Sequence, residues 1–297
     1  MNRAAQTDSD PLQRRLFHGW RIVAVAFFVD FIAVGFFFYS YGVFFKSLAE
    51  DFGGARLGVS IGLTLVNMIG GLLDRYRIKY VILVGTVSMG LGFVLLGLIA
   101  ARWQFYLILS TMIAFGTNAM GGLATAKLVA NWFDRRRGMA LGVATMGISL
   151  SGVAMPMISA WLIAEVGWRG GFMIYGAFTL LMVLPVVALF VVSSPEDMGL
   201  APDGDRWGPD GPPRARPQAS SGTLLKAWNF WMITFCVGLL FCNMGATLTH
   251  MVPRVTDLGY TLLQAAPVLS FGAAAGVLGK VVFGTLVDRL DARFAIL

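Results

Sequence analysis

Long apolar runs alternate with shorter polar loops along the whole chain. We count about eight runs, each near the roughly 20 residues that a helix needs to cross the hydrocarbon core of a bilayer. They lie at 20–45, 57–73, 80–101, 104–126, 138–163, 171–193, 228–251 and 262–287. The second run is short, at about 26 Å of helix. This pattern predicts an all-α polytopic membrane protein with about eight transmembrane helices.

The longest polar stretch, 194–227, is rich in proline, glycine and aspartate. Such a stretch cannot bury a core, and we interpret it as a cytoplasmic linker between two halves. The prediction is then a six-helix N-terminal bundle over 1–193, the linker over 194–227, and the start of a C-terminal bundle over 228–297. That second bundle has two helices and is incomplete.

Composition and charge agree with this architecture. The chain is 57% hydrophobic and 13% charged, whereas soluble domains carry roughly 25% charged residues. With the N-terminus inside, 17 of the 23 Lys and Arg residues fall on the cytoplasmic side and five on the outer side. This bias predicts a multi-pass protein of the inner (plasma) membrane with a cytoplasmic N-terminus. Because the basic residues do not form one patch, no nucleic-acid partner is expected.

The sequence offers few residues for catalysis or metal binding. It has two histidines and two cysteines, and both cysteines lie in one apolar run. We therefore expect no disulfide, metal site, cofactor or catalytic constellation, and we predict that the protein is not an enzyme.

One motif occurs twice, 214 positions apart, at 70–79 and 284–293. Both copies read Gly-x-x-x-Asp-Arg-x-x-x-(Lys/Arg), and each ends an apolar run. The glycine permits close helix packing, and the Asp-Arg pair places fixed charge at the membrane surface. Repeats in corresponding positions are typical of a duplicated transporter. The residues that we predict to control gating are Gly70, Asp74, Arg75, Gly284, Asp288, Arg289 and Arg293.

The two copies resemble the loop 2–3 and loop 8–9 signatures of the major facilitator superfamily, although Arg77 stands where a glycine is usual. Four further segments, 18–21, 131–138, 167–169 and 195–204, are similar to the monocarboxylate-transporter and oxalate/formate-antiporter branch in a bacterial version. The resemblance implies a major facilitator fold and alternating-access transport of a small organic anion such as a monocarboxylate, by symport. The family has twelve helices, so a count of about eight helices implies that this chain is truncated.

Lys280 lies eight residues before Asp288, about 12 Å along the helix from its cytoplasmic end. A charge at that depth usually faces a cavity or a partner. The resemblance implies an arginine here that binds the substrate carboxylate; lysine keeps the charge and loses the bidentate grip. The alternative is that its stem reaches towards the membrane interface.

Span one supplies two more candidates for the substrate site. Asp30 is an intramembrane carboxyl, which suits a proton carrier or a substrate site; the alternative is a hydrogen-bonded residue packed between helices. The position of the family's proton-linked aspartate holds Gly276, so H⁺ coupling depends on Asp30. Tyr39 aligns with a lysine of the animal carriers and can donate a hydrogen bond, or it serves only packing.

Glycines recur in two spans, at 138, 142, 147 and 152 and at 272, 276 and 279. The resemblance implies that these two spans meet between the halves, where small residues permit close crossing. Two rival functions stay open. One is an exporter of apolar compounds, although the arginine-bearing motif of drug exporters is missing around 116–118. The other is a non-transporting protein: a sensor, an assembly factor or a defective fragment.

Overall fold

The computed structural model describes residues 17–40, 43–44, 76–204 and 228–287. Within these ranges every regular element is a helix or a helical turn. The elements in chain order are α1 (His18–Val34), which continues as a π-helical turn (Gly35–Tyr39); α2 (Ile78–Gly97); α3 (Arg102–Ile108), a π-helical turn (Leu109–Ile113) and α4 (Ala114–Met120); α5 (Leu123–Trp132); α6 (Arg137–Phe178), a π-helical turn (Thr179–Val183) and α7 (Leu184–Phe190); two 3₁₀ turns (Pro195–Met198 and Pro202–Gly204); α8 (Trp228–Asp257); and α9 (Leu262–Val287).

Five helical stretches in the described part are long and apolar enough to cross a membrane. They are His18–Tyr39, Ile78–Gly97, Trp103–Trp132, Arg137–Phe190 and Trp228–Asp257. These five do not include α9, whose bounds coincide with those of the predicted eighth span. The predicted second span, 57–73, lies outside the described residues, so the total of eight remains a prediction.

Glycines interrupt two of these stretches. Gly167 has a φ of 72°, which separates α6 into two helices where a loop was predicted between spans five and six. Gly122 has a φ of 50° and a ψ of −92° and divides predicted span four into α4 and α5. L-residues rarely adopt such a backbone conformation, so glycine is required there. The sequence analysis did not predict the second break.

Five helix termini meet at one end of the molecule, which we call the α1-start end. The ring of His18 lies 5.2 Å from that of Trp132, at the end of α5. The indole N–H of Trp132 donates to the carbonyl of Val192 just beyond α7 (3.0 Å). Ser193 accepts from the side chain of Asn131 and, through its hydroxyl, from the backbone N–H of Lys79 at the start of α2. These contacts join α1, α2, α5 and α7, and α6 begins beside them.

The first part of the predicted linker packs against this end. Asp203 Oδ2 accepts the backbone N–H groups of Asp134 (3.0 Å) and Arg135 (2.8 Å), just before α6. Arg77, which follows the first repeated motif's Asp-Arg pair, pairs with Asp197 at 3.9 Å. That pair is well exposed and contributes little to stability. Residues 205–227 lie outside the described residues, so the linker boundaries remain a prediction.

The second half contributes α8 and α9. Val252 of α8 packs with Ala265, Ala266 and Leu269 of α9 in a small buried cluster that also contains Val43 and Ala160. From this cluster α9 runs antiparallel to the first part of α6, towards the α1-start end. The first half of the chain therefore contacts α9 mainly through α6.

We predict that Asp203→Gly lowers the thermal stability of the protein. Glycine tolerates the left-handed backbone at this position, where φ is 62°, so the loss reports the two hydrogen bonds to the start of α6. A cap of this kind contributes about 1 kcal/mol, which corresponds to a few degrees in the melting temperature. Thermal unfolding of the detergent-purified chain measures the effect.

Asp203→Asn keeps one acceptor oxygen and should lose less than Asp203→Gly. Glu196→Ala is the matched control because Glu196 is an exposed acid in the same segment. Equal melting temperatures for Asp203→Gly and Glu196→Ala would contradict the prediction.

Candidate functional site

Lys280 lies two turns before the end of α9 and is half-buried. Its amine donates to the backbone carbonyl of Thr145 in α6, at 2.9 Å. The side chain therefore reaches across the contact between α9 and α6 rather than away from the protein. Thr145 itself lies in the first half of the chain, so this hydrogen bond joins the two halves.

Asp30 lies about one turn before the end of α1 and is fully buried, with 0% of its surface exposed. Its Oδ1 accepts the backbone N–H of Gly122 (2.7 Å) and the hydroxyl of Thr125 (2.8 Å). These groups form the first turn of α5, so Asp30 caps that helix from outside it. Its Oδ2 is also buried and has no hydrogen-bond partner among the described residues.

Asp30 and Lys280 interact electrostatically. One belongs to α1 and the other to α9, so opposite charges from the two halves share one region of the α1–α6–α9 junction. In a low-dielectric interior, each charge lowers the cost of burying the other. The structure thus brings together the two charged residues that the sequence analysis selected.

Tyr39 lies at the same junction but not beside Lys280. It is buried at the end of the π-helical turn that follows α1. A Cβ atom built on Gly152 would come within 2.5 Å of both the Tyr39 ring and Ala273 of α9. Ala273 precedes Lys280 by seven residues, which is about 10 Å along the helix axis. Tyr39 therefore lies further from the α1-start end than the charged pair does.

A cluster of three buried hydroxyl groups fixes this end of α1, and the sequence analysis did not identify it. The Ser159 hydroxyl donates to that of Ser40 (2.8 Å) and lies 2.7 Å from the hydroxyl of Tyr175. Ser40 also donates to the carbonyl of Gly35, inside the π-helical turn. The ring of Phe36 stacks on Tyr175 with centroids 3.9 Å apart. The only feature of the sequence that could have indicated this cluster is the presence of serines within apolar spans.

Small residues set the register between α6 and α9. A Cβ on Gly276 would lie 3.9 Å from the Cβ of Ser149, and the hydroxyl of Ser270 donates to the carbonyl of Val153 (2.7 Å). Close packing of the two glycine-containing spans is therefore confirmed at Gly152 and Gly276. Gly147 instead faces α1, because a side chain there would collide with the carbonyl of Phe27. A Cβ added at 272 or 279 would meet no atom of the described residues within 4 Å.

The predicted gating residues remain a prediction. Gly284 lies in the last turn of α9. The other six, Gly70, Asp74, Arg75, Asp288, Arg289 and Arg293, lie outside the described residues.

The junction holds groups that can interact with a charge. Among its described residues, the ammonium group of Lys280 can pair with an anion, and the second oxygen of the Asp30 carboxyl, which has no described partner, can accept a proton. Within the described ranges, no three His, Cys, Asp or Glu side chains lie close enough together to hold a metal ion.

Comparison with known proteins identifies the family to which the chain belongs. The model of the Major Facilitator Superfamily matches residues 15–297. The chain belongs to the Major Facilitator Superfamily. It is therefore a multi-pass membrane protein of a transporter family that is not, in general, enzymatic, and the resemblance identified from the sequence motifs is confirmed.

Its relatives include monocarboxylate transporters and other transporters of the superfamily, at low identity. The chain is 27% identical to monocarboxylate transporter 13 of Bos taurus over 285 residues, which is 93% of this chain and 63% of that protein. It is 28% identical to the MFS-type transporter pytF of Aspergillus terreus, covering 92% of this chain and 90% of that protein. The chain thus spans less than two thirds of the first of these relatives.

A solved structure confirms the fold. The crystal structure of a bacterial homolog of the human lysosomal transporter Spinster, in an inward-facing and unoccupied conformation, superposes with a TM-score of 0.67. It is 16% identical, and the match covers 94% of this chain and 64% of that one. The all-α major facilitator fold predicted from the sequence is correct.

We predict that cysteines introduced at Ser149 and Gly276 form a disulfide. Their Cβ separation of 3.9 Å is close to the mean of about 3.8 Å in protein disulfides. The measurement uses a variant in which Cys236 and Cys242 are replaced by serine, with mild oxidation followed by mass spectrometry of the linked peptides.

The control pair places cysteines at Ser149 and Gly279, because a Cβ at Gly279 faces open space among the described residues. Equal cross-linking of both pairs, or of neither, would contradict the register of α6 against α9.

Proposed function

We propose that the protein is a secondary active transporter that moves a small, monocarboxylate-like organic anion across the inner (plasma) membrane by alternating access. Its N-terminus lies in the cytoplasm. The observation that carries this proposal is the Lys280 amine, held 2.9 Å from the carbonyl of Thr145 at the junction of α1, α6 and α9. The names of relatives such as monocarboxylate transporter 13 agree with an anionic substrate.

Lys280 suits a carboxylate because its ammonium group has three N–H donors and one described hydrogen bond, to the neutral carbonyl of Thr145. A carboxylate attracts an ammonium group more strongly than a neutral carbonyl does, because it carries a full negative charge. A substrate carboxylate would therefore accept one of the remaining N–H groups. Lysine offers a point charge rather than a fork, which accommodates carboxylates of varied orientation.

The proposal includes H⁺ as the coupling ion, carried by Asp30. When both are charged, Asp30 and Lys280 together are neutral, and the entry of a monocarboxylate leaves one excess negative charge in an apolar region. A proton on Asp30 removes that excess, so anion and proton would cross together without net charge. Oδ2 of Asp30 is buried with no described partner, which leaves it open to a proton.

Movement between the halves would take place at the contact of α6 with α9. The described contacts there include small residues, such as Gly152, Ala273 and Gly276, and two hydrogen bonds to backbone carbonyls, from Ser270 and Lys280. Such a surface can rock without breaking a large interlocked core. The repeated Asp-Arg motifs at 70–79 and 284–293 would close the cytoplasmic side in the outward-open state. Tyr39 would border the substrate path at a point further from the α1-start end than Lys280.

We predict that Lys280→Ala abolishes most anion uptake. Removing one partner of a buried charged interaction costs about 2 kcal/mol or more, which corresponds to roughly a 30-fold loss. Uptake of labelled lactate, oxalate and pyruvate into liposomes that contain the purified chain measures this. Lys280→Arg should retain much of the uptake because it keeps the charge.

Arg254→Ala is the matched control, since Arg254 is an exposed basic residue of α8 that lies outside the proposed substrate site and the repeated motifs. Unchanged uptake of all three anions in Lys280→Ala would remove Lys280 from the substrate site. If the wild-type chain takes up none of them, the proposed substrate class is wrong.

We predict that Asp30→Asn uncouples proton movement from anion movement. Asparagine resembles the protonated acid, so the loaded state still forms and exchange of internal for external anion continues. Net uptake driven by an inward proton gradient should fall by about tenfold or more, as should the accompanying alkalinisation of a weakly buffered medium. Asp257→Asn, at the exposed end of α8, is the control. Proton uptake equal to wild type in Asp30→Asn would contradict the role of Asp30.

A further inference from the structure

The hydroxyl of Thr125 has two acceptors within reach and one proton to give. It lies 2.8 Å from Oδ1 of Asp30 and 3.0 Å from the carbonyl of Gly122. Thr125 is buried in the first turn of α5. Because both distances allow a hydrogen bond, rotation about the C–O bond is enough to exchange one acceptor for the other.

The charge on Asp30 decides which acceptor is preferred. An ionised carboxylate is the stronger acceptor, so the hydroxyl then donates to Oδ1. A protonated carboxyl is a weaker acceptor, and the hydroxyl proton can turn to the carbonyl of Gly122. That carbonyl already accepts the N–H of Ala126 and has a second lone pair for the hydroxyl. Thr125 therefore keeps a hydrogen bond in both states, but its bond is stronger when Asp30 is ionised.

We infer that Thr125 is a positioning residue that sets the pH at which Asp30 takes up its proton. The inference rests on the proposed function, in which Asp30 carries the coupling proton. The backbone N–H of Gly122 is a second donor to the same oxygen, but it is fixed by the break between α4 and α5. The Thr125 hydroxyl is the donor that can leave when the proton arrives.

Other charged groups lie on the helices around the same carboxyl. Lys280 of α9, in the second half of the chain, interacts electrostatically with Asp30. The remaining helices packed against α1 also carry titratable or charged side chains: Lys127 of α5, Arg137, Glu165, Arg169 and Tyr175 of α6, and Asp203 of the second 3₁₀ turn. None of these is changed in the variants below, so their effect is constant within the comparison.

The test measures the protonation of Asp30 directly. A hydrophobic carbodiimide modifies protonated carboxyl groups in apolar surroundings, and mass spectrometry of the peptide that contains Asp30 gives the modified fraction at each pH. In Thr125→Val the ionised form of Asp30 loses a hydrogen-bond donor. The pH at which half of Asp30 is modified should therefore be about one unit higher than in the wild type. Thr125→Ser restores the hydroxyl and should return the wild-type profile.

Thr86→Val is the matched control. Thr86 is also buried, and its described hydrogen bond goes to the carbonyl of Ile82 within α2. A Thr125→Val profile equal to that of the wild type, or an equal shift in Thr86→Val, would overturn the inference.

The pH dependence of anion uptake provides the second readout, and the half-maximal pH should shift in the same direction. The carbodiimide measurement does not require transport. A shifted Thr125→Val profile in a chain that takes up none of the three anions would support the role of Thr125 and overturn the proposed function. The two failures are therefore distinguishable.

Discussion

An ammonium group cannot lie inside a membrane protein without partners, and the position of Lys280 accounts for much of what surrounds it. Its amine bonds to the carbonyl of Thr145 and interacts with Asp30. These partners come from α6 and α1, whereas Lys280 comes from α9. The requirement to satisfy one charge thus ties together helices from both halves of the chain, and close packing through Gly152 and Gly276 allows α9 to approach.

The buried carboxyl group of Asp30 also requires partners. A carboxyl group at 0% exposure needs donors, and a continuous helix has none to offer because its N–H groups are already bonded. The break at Gly122 frees the first turn of α5, and Gly122 and Thr125 supply the two donors. The irregular backbone within span four is therefore explained by the carboxyl that it binds, and it is buried in protein as such breaks in membranes must be.

Hydrophobic patterning predicted an all-helical membrane protein and the position of several of its helices. The predicted eighth span has the same bounds as α9, and the loop predicted between spans five and six contains the kink at Gly167. Lys280 and Asp30 were identifiable because an ionisable residue within an apolar run is rare and has few roles. That Lys280 and Asp30 interact with each other became evident only from the fold.

The features that the sequence did not predict depend on tertiary contacts. Thr125 and Gly122 are ordinary residues until α1 places a carboxyl beside them. Ser40, Ser159 and Tyr175 form their cluster across 135 positions of sequence. The π-helical turns have no local signature, and Asp203 caps α6 from a stretch that composition alone marks as a linker. Gly147 has the spacing of an α9 contact but faces α1, since periodicity gives a face of a helix and not its neighbour.

The central claim is that the Lys280 amine binds the carboxylate of the transported anion. Solid-state NMR of the reconstituted chain, with ¹⁵N-labelled lysine side chains and lactate, pyruvate or oxalate labelled with ¹³C at the carboxyl carbon, measures this contact as a dipolar coupling. The account predicts a coupling that corresponds to roughly 3.5–4 Å, as expected for a hydrogen-bonded ammonium–carboxylate pair, and its disappearance in Lys280→Arg while the anion still binds. A coupling that persists in Lys280→Arg, or bound anion with no coupling to any lysine in the wild type, would contradict the claim.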